Sequence, residues 1–199
     1  MLKLKNLLNE ALPTKEIDPA QFPNPVTGAM KKIFLNKGEQ DGDPSDDIVK
    51  TQDVSIPAAK LKASQDAIYL GKSLGMAVGG VKGGDLDAVI SDDNHILDGH
   101  HRWAATMFAS PTTTVGGVKA ELKIGDLVPV LRALGDVFGN DRRGEPKGGD
   151  VNVFQATRQD IENTIADLDQ QNTEFINPGD ATKFVDSVGG IDVLTKRFA

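Results

Sequence analysis

Apolar residues in this chain either alternate with polar ones or return every three to four positions, and the two rhythms follow each other in separate blocks. Val54-Ser55-Ile56 has the alternation of a strand. Gln65 to Met76 carries Ile68, Tyr69 and Leu74 for burial on one side, which predicts a helix. Ala88-Val89-Ile90 and His95-Ile96-Leu97 flank Ser91-Asp92-Asp93-Asn94, whose Asp and Asn residues suit a hairpin turn. From His100 onward Trp103, Ala104, Met107 and Phe108 repeat at helical spacing. A strand at Val118 to Leu122 follows. Asp126 is then placed to cap a helix holding Leu127, Val130, Leu131, Leu134, Val137 and Phe138. Strand alternating with helix predicts an α/β (α+β) fold.

The flanks differ in character. Met1 to Leu12 sets Leu4, Leu7, Leu8, Ala11 and Leu12 on one face of an amphipathic helix, which Pro13 ends. So short a helix is marginal alone, so it docks on its own domain or on another copy of the chain, and a homo-oligomer stays open. Residues 13–30, with Pro13, Pro19, Pro23 and Pro25, form an extended tether, and Ile33-Phe34-Leu35 fits a strand. Lys37 to Asp53 holds six acids and two lysines, an exposed loop. Its Asp41-x-Asp43 spacing is not a calcium loop, because Pro44 intervenes and the glycine and distal glutamate are missing. Gly79-Gly80-Val81-Lys82-Gly83-Gly84 is either a connector or a loop able to close over a ligand, with Lys82 as a candidate phosphate contact. The Gly-rich, charged stretch 139–150 is the clearest boundary. Beyond it Ile161, Ile165 and Leu168 mark one helix, Phe184, Val185 and Val188 a second, and Ile191, Leu194 and Phe198 a third. The division expected is 1–30, 31–138, a linker at 139–150, and a helical extension at 151–199.

Composition narrows the function classes. A chain of 199 residues with 39% apolar and 26% charged residues has enough apolar material for one substantial core. No apolar run approaches the eighteen residues of a membrane span and no signal-peptide pattern opens the chain, so a cytoplasmic protein is expected. The balance of 22 basic against 29 acidic residues, a net charge of −7, disfavours duplex nucleic acid as a partner. Residues 151–199 carry four basic and eight acidic side chains, a poor surface for reading DNA.

The candidate chemistry lies in one run. His95, His100 and His101 are all the histidines of the chain, and the same stretch holds Asp98, Gly99, Arg102 and the single tryptophan. Gly99 permits a sharp turn and close approach to the backbone. His100 then opens a helix whose unpaired N–H groups and positive dipole end favour a phosphate or carboxylate. Arg102 can grip such an anion bidentately, and His100 and His101 can donate hydrogen bonds or move protons near neutral pH. Asp98 can bind magnesium, with Asp92 or Asp93 and substrate phosphates, or orient a histidine. Turn chemistry is the simpler role for Asp92 and Asp93. With no cysteine and no His-x-x-x-His spacing, zinc is not indicated.

The stretch Ile96-Leu97-Asp98-Gly99-His100-His101-Arg102-Trp103-Ala104-Ala105 resembles the Gly-x-x-Arg signature of the ParB/sulfiredoxin superfamily. Val54 to Gln65 looks like that superfamily's opening strand and its Pro/Ala-Ser-Gln segment, and Val118 to Leu122 like its closing strand. The resemblance spans about residues 50–138 and implies a small mixed sheet with packed helices. It also implies a nucleotide or other phosphate-bearing small molecule as ligand, ATP or CTP with magnesium, held by Gly99, His100, His101, Arg102, Ser64 and Gln65. Asp98, His100 and His101 would be the catalytic residues. The Asp-Gly-His-His-Arg form is similar to the free serine kinase branch, which points to nucleotide hydrolysis or phosphoryl transfer. His100 takes the place of the sulfiredoxin cysteine, so sulfinic-acid reduction is excluded. Against the ParB pattern, His100 and His101 replace a glutamate and an arginine. The alternative function is a ParB-like nucleic-acid-binding or nuclease-related oligomer.

Overall fold

A computed structural model describes residues 51–65, 67–129 and 151–198. The amphipathic segment Met1 to Leu12, the tether, the strand expected at Ile33 to Leu35, the acidic loop up to residue 50, the helix positions from Val130 onward and the 139–150 linker lie outside the described residues.

Five strands form one mixed sheet: β1 Thr51–Pro57, β2 Lys62–Ala63, β3 Gly84–Ile90, β4 His95–Asp98 and β5 Thr114–Ala120. Their spatial order is β1-β5-β3-β4-β2, with β1/β5 and β3/β4 antiparallel and β5/β3 and β4/β2 parallel. Helices α1 (Leu70–Val78) and α2 (His100–Ala109) pack against each other, and α2 packs on β3 and β5 of the sheet. The expected hairpin is therefore present as β3 and β4, and the expected α/β class is the class found.

The strand predicted at Val118 to Leu122 instead runs from Thr114 to Ala120 and takes in Gly116 and Gly117. Those glycines are needed in mid-strand because β3 carries a bulge between Asp85 and Ala88, with Asp87 at φ 54°. A Cβ on Gly117 would lie 2.1 Å from the Ala88 carbonyl oxygen. The helix expected from Gln65 starts only at Leu70, because Tyr69 is extended (φ −85°, ψ 132°) and bridges Asn152. The later helix begins at 124, with the N–H groups of Asp126 and Leu127 both donating to the Lys123 carbonyl, so Asp126 sits inside the first turn and does not cap it.

Residues 151–198 supply α3 (Arg158–Asp169), α4 (Asp180–Ser187) and α5 (Ile191–Thr195). Thr157 and Asp160 close a reciprocal capping box at the start of α3. Ile161, Ile165, Leu168, Phe184 and Leu194 are buried in the same core as Trp103, Phe108 and Ile96. Phe198 packs edge-on against Trp103, Phe108 and Phe154. The extension thus joins the main core instead of standing apart.

Trp103 anchors α2 from below, its indole N–H donating to the Ala58 carbonyl at 2.9 Å. Trp103→Phe keeps most of the apolar contact and removes one of the two donors to that carbonyl, which still accepts the Leu61 N–H at 3.1 Å. It should lower stability by about 1 kcal/mol in urea unfolding, and an unchanged midpoint would show the bond contributes nothing.

Candidate functional site

Asp98 ends β4 and Gly99 turns the chain into α2 with φ 93° and ψ 13°, a left-handed conformation in which glycine alone is unstrained. The antiparallel pairing of Val89 with Asp98 lays this turn on β3. A Cβ at Gly99 would stand 3.5 Å from the Ala88 Cα and 3.5 Å from the Arg102 guanidinium. The turn is therefore floored by Ala88 and overhung by a cation. The first backbone bond of α2 runs from the Trp103 N–H to the Gly99 carbonyl at 2.8 Å, so the N–H groups of His100, His101 and Arg102 belong to the unpaired helix end.

Arg102 Nη2 donates to Asp98 Oδ2 at 3.3 Å, a pair one helical turn apart whose side chains are 37% and 28% exposed. This bond engages one of five guanidinium donors.

The two adjacent imidazoles do a common job. His100 is buried, and its Nε2 accepts the Ser64 backbone N–H at 3.3 Å with the Ser64 hydroxyl at 3.2 Å. His101 Nε2 accepts the Tyr69 N–H at 3.2 Å, and its ring stacks on Tyr69 with centroids 5.7 Å apart. An Nε2 that accepts an N–H carries no proton, so both rings are neutral in this arrangement. Burial brings His100 down to about 4, with the Asp98 charge opposing and His101 reinforcing the shift. Together the histidines tie the Ser64 and Tyr69 backbone N–H groups to the start of α2.

This clasp places Ser64 and Gln65, both exposed, beside the His100 end of α2. It also sets the starts of α1 and α2 side by side, with two positive dipole ends at one edge of the domain. Tyr69, which apolar spacing offered only as a residue for burial on the helix expected from Gln65, instead joins the two helix starts through its N–H and its ring.

The remaining candidates fall elsewhere. His95, Asp92 and Asp93 lie at the opposite end of β4 from Asp98, about 10 Å along the strand, so neither aspartate joins Asp98 in a magnesium site. Asp93 accepts from the Ser91 hydroxyl at 2.7 Å and the Ile124 N–H at 2.9 Å, and it stands 3.3 Å from His95 Nδ1 without the alignment of a hydrogen bond. The Ser91 bond above all holds its carboxyl well below the usual range. Asp92 is 3.6 Å from Lys119. These are turn contacts. Asp98, paired with Arg102, supplies one carboxylate to the turn, and among the described residues no three His, Asp or Glu side chains group as metal ligands.

Gly83 packs against Thr106, Thr113 and Thr114, near the far end of α2 from Gly99. The glycine loop and Lys82 therefore flank the other end of the helix, where the loop connects α1 to β3. Among the described residues no helix is long and apolar enough to cross a membrane.

Comparison with protein-family models, with curated proteins and with solved structures returned no match.

Proposed function

We propose that the chain binds a nucleotide or other phosphate-bearing small molecule over the Gly99 turn and acts as a nucleotide hydrolase or phosphotransferase. The observation that carries this reading is the placement of the Arg102 guanidinium 3.5 Å from the missing Gly99 Cβ, above the unpaired end of α2. A phosphate seated there accepts N–H bonds from the helix start and a charge-assisted bond from Arg102. The paired start of α1 adds a second dipole of the same sign. Preorganised donors of this kind stabilise charge that develops on a transferring phosphoryl group. A histidine of the His100-His101 pair moves the proton, with the Asp98 charge favouring the imidazolium. The likeness of Asp98 to Arg102 to the ParB/sulfiredoxin signature supports the same ligand class. Magnesium enters this reading only as the counter-ion of the nucleotide. A cytoplasmic location, where nucleoside triphosphates are abundant, belongs to the proposal.

The test is thermal stability with ATP, ADP, CTP and GTP, with and without magnesium, in wild type and Arg102→Ala. A ligand at one hundred times its Kd should stabilise by about 2.7 kcal/mol. Arg102→Ala should weaken binding by at least tenfold, since a charge-assisted bond contributes about 1.5–3 kcal/mol. If no nucleotide stabilises the wild type, the reading is wrong.

A further inference from the structure

The Ser64 hydroxyl has a neighbour that the binding role leaves unused. Ser64 is exposed, yet its Oγ lies 3.2 Å from Nε2 of buried His100 and also donates to the Ile96 carbonyl in a short bond. Residues 36 apart in sequence are brought together here, and the imidazole nitrogen facing the hydroxyl is the one without a proton. A serine within hydrogen-bond reach of an unprotonated imidazole, beside an anion-stabilising helix end, has the parts of a nucleophilic centre. We propose that Ser64 is a covalent phosphoryl acceptor and His100 its general base.

The step, which rests on the nucleotide reading above, balances without an added oxidant or reductant. Ser64 Oγ attacks the terminal phosphorus of a bound nucleoside triphosphate, and the Oγ–P bond forms as the P–O bond to the departing nucleoside diphosphate breaks. The hydroxyl proton passes to His100 Nε2. The oxygen of a water molecule then forms a P–O bond as the P–Oγ bond breaks, His100 returns its proton to Ser64, and inorganic phosphate leaves. Asp98, whose charge acts on His100, stabilises the imidazolium in between. The hydroxyl has one proton, so it turns from the Ile96 carbonyl to His100 Nε2 before attack.

A fluorophosphonate tests the nucleophile without relying on any nucleotide, because it carries its own leaving group: Oγ–P forms, P–F breaks, and fluoride departs with the proton. Full-length chain is treated with the probe and the adduct mapped by tandem mass spectrometry. Ser64 should be labelled in strong preference to Ser55, which is also exposed but lies on β1. Ser64→Ala should abolish the adduct, and His100→Gln, whose amide can still accept the Ser64 N–H but cannot take a proton, should slow labelling by at least a hundredfold. Equal labelling of Ser64 and Ser55 in the wild type overturns the proposal, as does labelling that His100→Gln leaves unchanged. The wild-type comparison stands even if the His100 variant does not fold. Excess ATP separates the two claims: protection of Ser64 supports both, and labelling that no nucleotide blocks keeps the nucleophile while overturning the nucleotide reading.

Discussion

Gly117→Ala should destabilise the fold by about 3 kcal/mol or more, among the largest effects a single methyl group can have. The new Cβ would lie 2.1 Å from the Ala88 oxygen and 2.5 Å from the Ala88 nitrogen, so it meets backbone on both counts and no flexible side chain can yield. β5 is hydrogen-bonded on both sides, to β1 and β3, which leaves it no room to bow away. Gly116→Ala is the graded comparison, since its Cβ would approach the Asp85 Cα at 2.9 Å, and its effect should be smaller. Thermal unfolding should show a drop of roughly 10 °C for Gly117→Ala. Because Ala88 also floors the Gly99 turn, the proposed nucleotide binding should be weaker in the same variant even below its melting temperature. A Gly117→Ala chain that melts with wild type would mean that β3 and β5 are not pressed together at the bulge.

Acid should destabilise the protein in two stages that belong to different residues. His100 has an ordinary value of 6.5 and sits at about 4 in the folded chain, chiefly because burial disfavours its charged form. Between those values the unfolded chain takes up a proton that the native chain refuses. Stability is therefore complete above pH 6.5, falls as pH drops toward 4, and stops falling on this account below it. The shift corresponds to a loss of about 3 kcal/mol. Asp93, held low mainly by the Ser91 hydroxyl, behaves as a depressed carboxylate does: its contribution is present above its ordinary value of 3.8 and is lost only at more acid pH. Urea unfolding at pH 7, 5.5 and 4.5 resolves the first stage. His100→Gln should flatten it and leave the second in place. If the slope between pH 6.5 and 4 is the same in both proteins, His100 is not the group responsible.

Both predictions rest on contacts that differ in how far the chain alone foretold them. The hairpin of β3 and β4, the helix from His100, the Gly99 turn and the three helices of the extension follow from apolar spacing and turn residues, which act over a few positions and so leave a local trace. Gly99 was legible for the same reason, as a glycine between a strand and an amphipathic helix. The pairing of Arg102 with Asp98, four residues apart at a helix start, is within that range too. The start of α1 was not, since apolar spacing placed Gln65 in the helix, whereas Tyr69 is extended and the Ser64 and Tyr69 N–H groups bond imidazoles 36 and 32 residues away. Nor was the place of Gly116 and Gly117, which the strand expected from Val118 leaves out and which lie in the strand opposite the β3 bulge. Sequence proximity joined His95 to His100 and His101, whereas β4 carries them to opposite ends of a strand. The residues of this protein thus determined by themselves the elements and the anion-favouring turn, through short-range periodicity and backbone conformation. Which groups face that turn, and that Ser64 meets His100, were decided only by the packing of distant segments, where a hydrogen bond between remote residues outweighs the local preference of the chain.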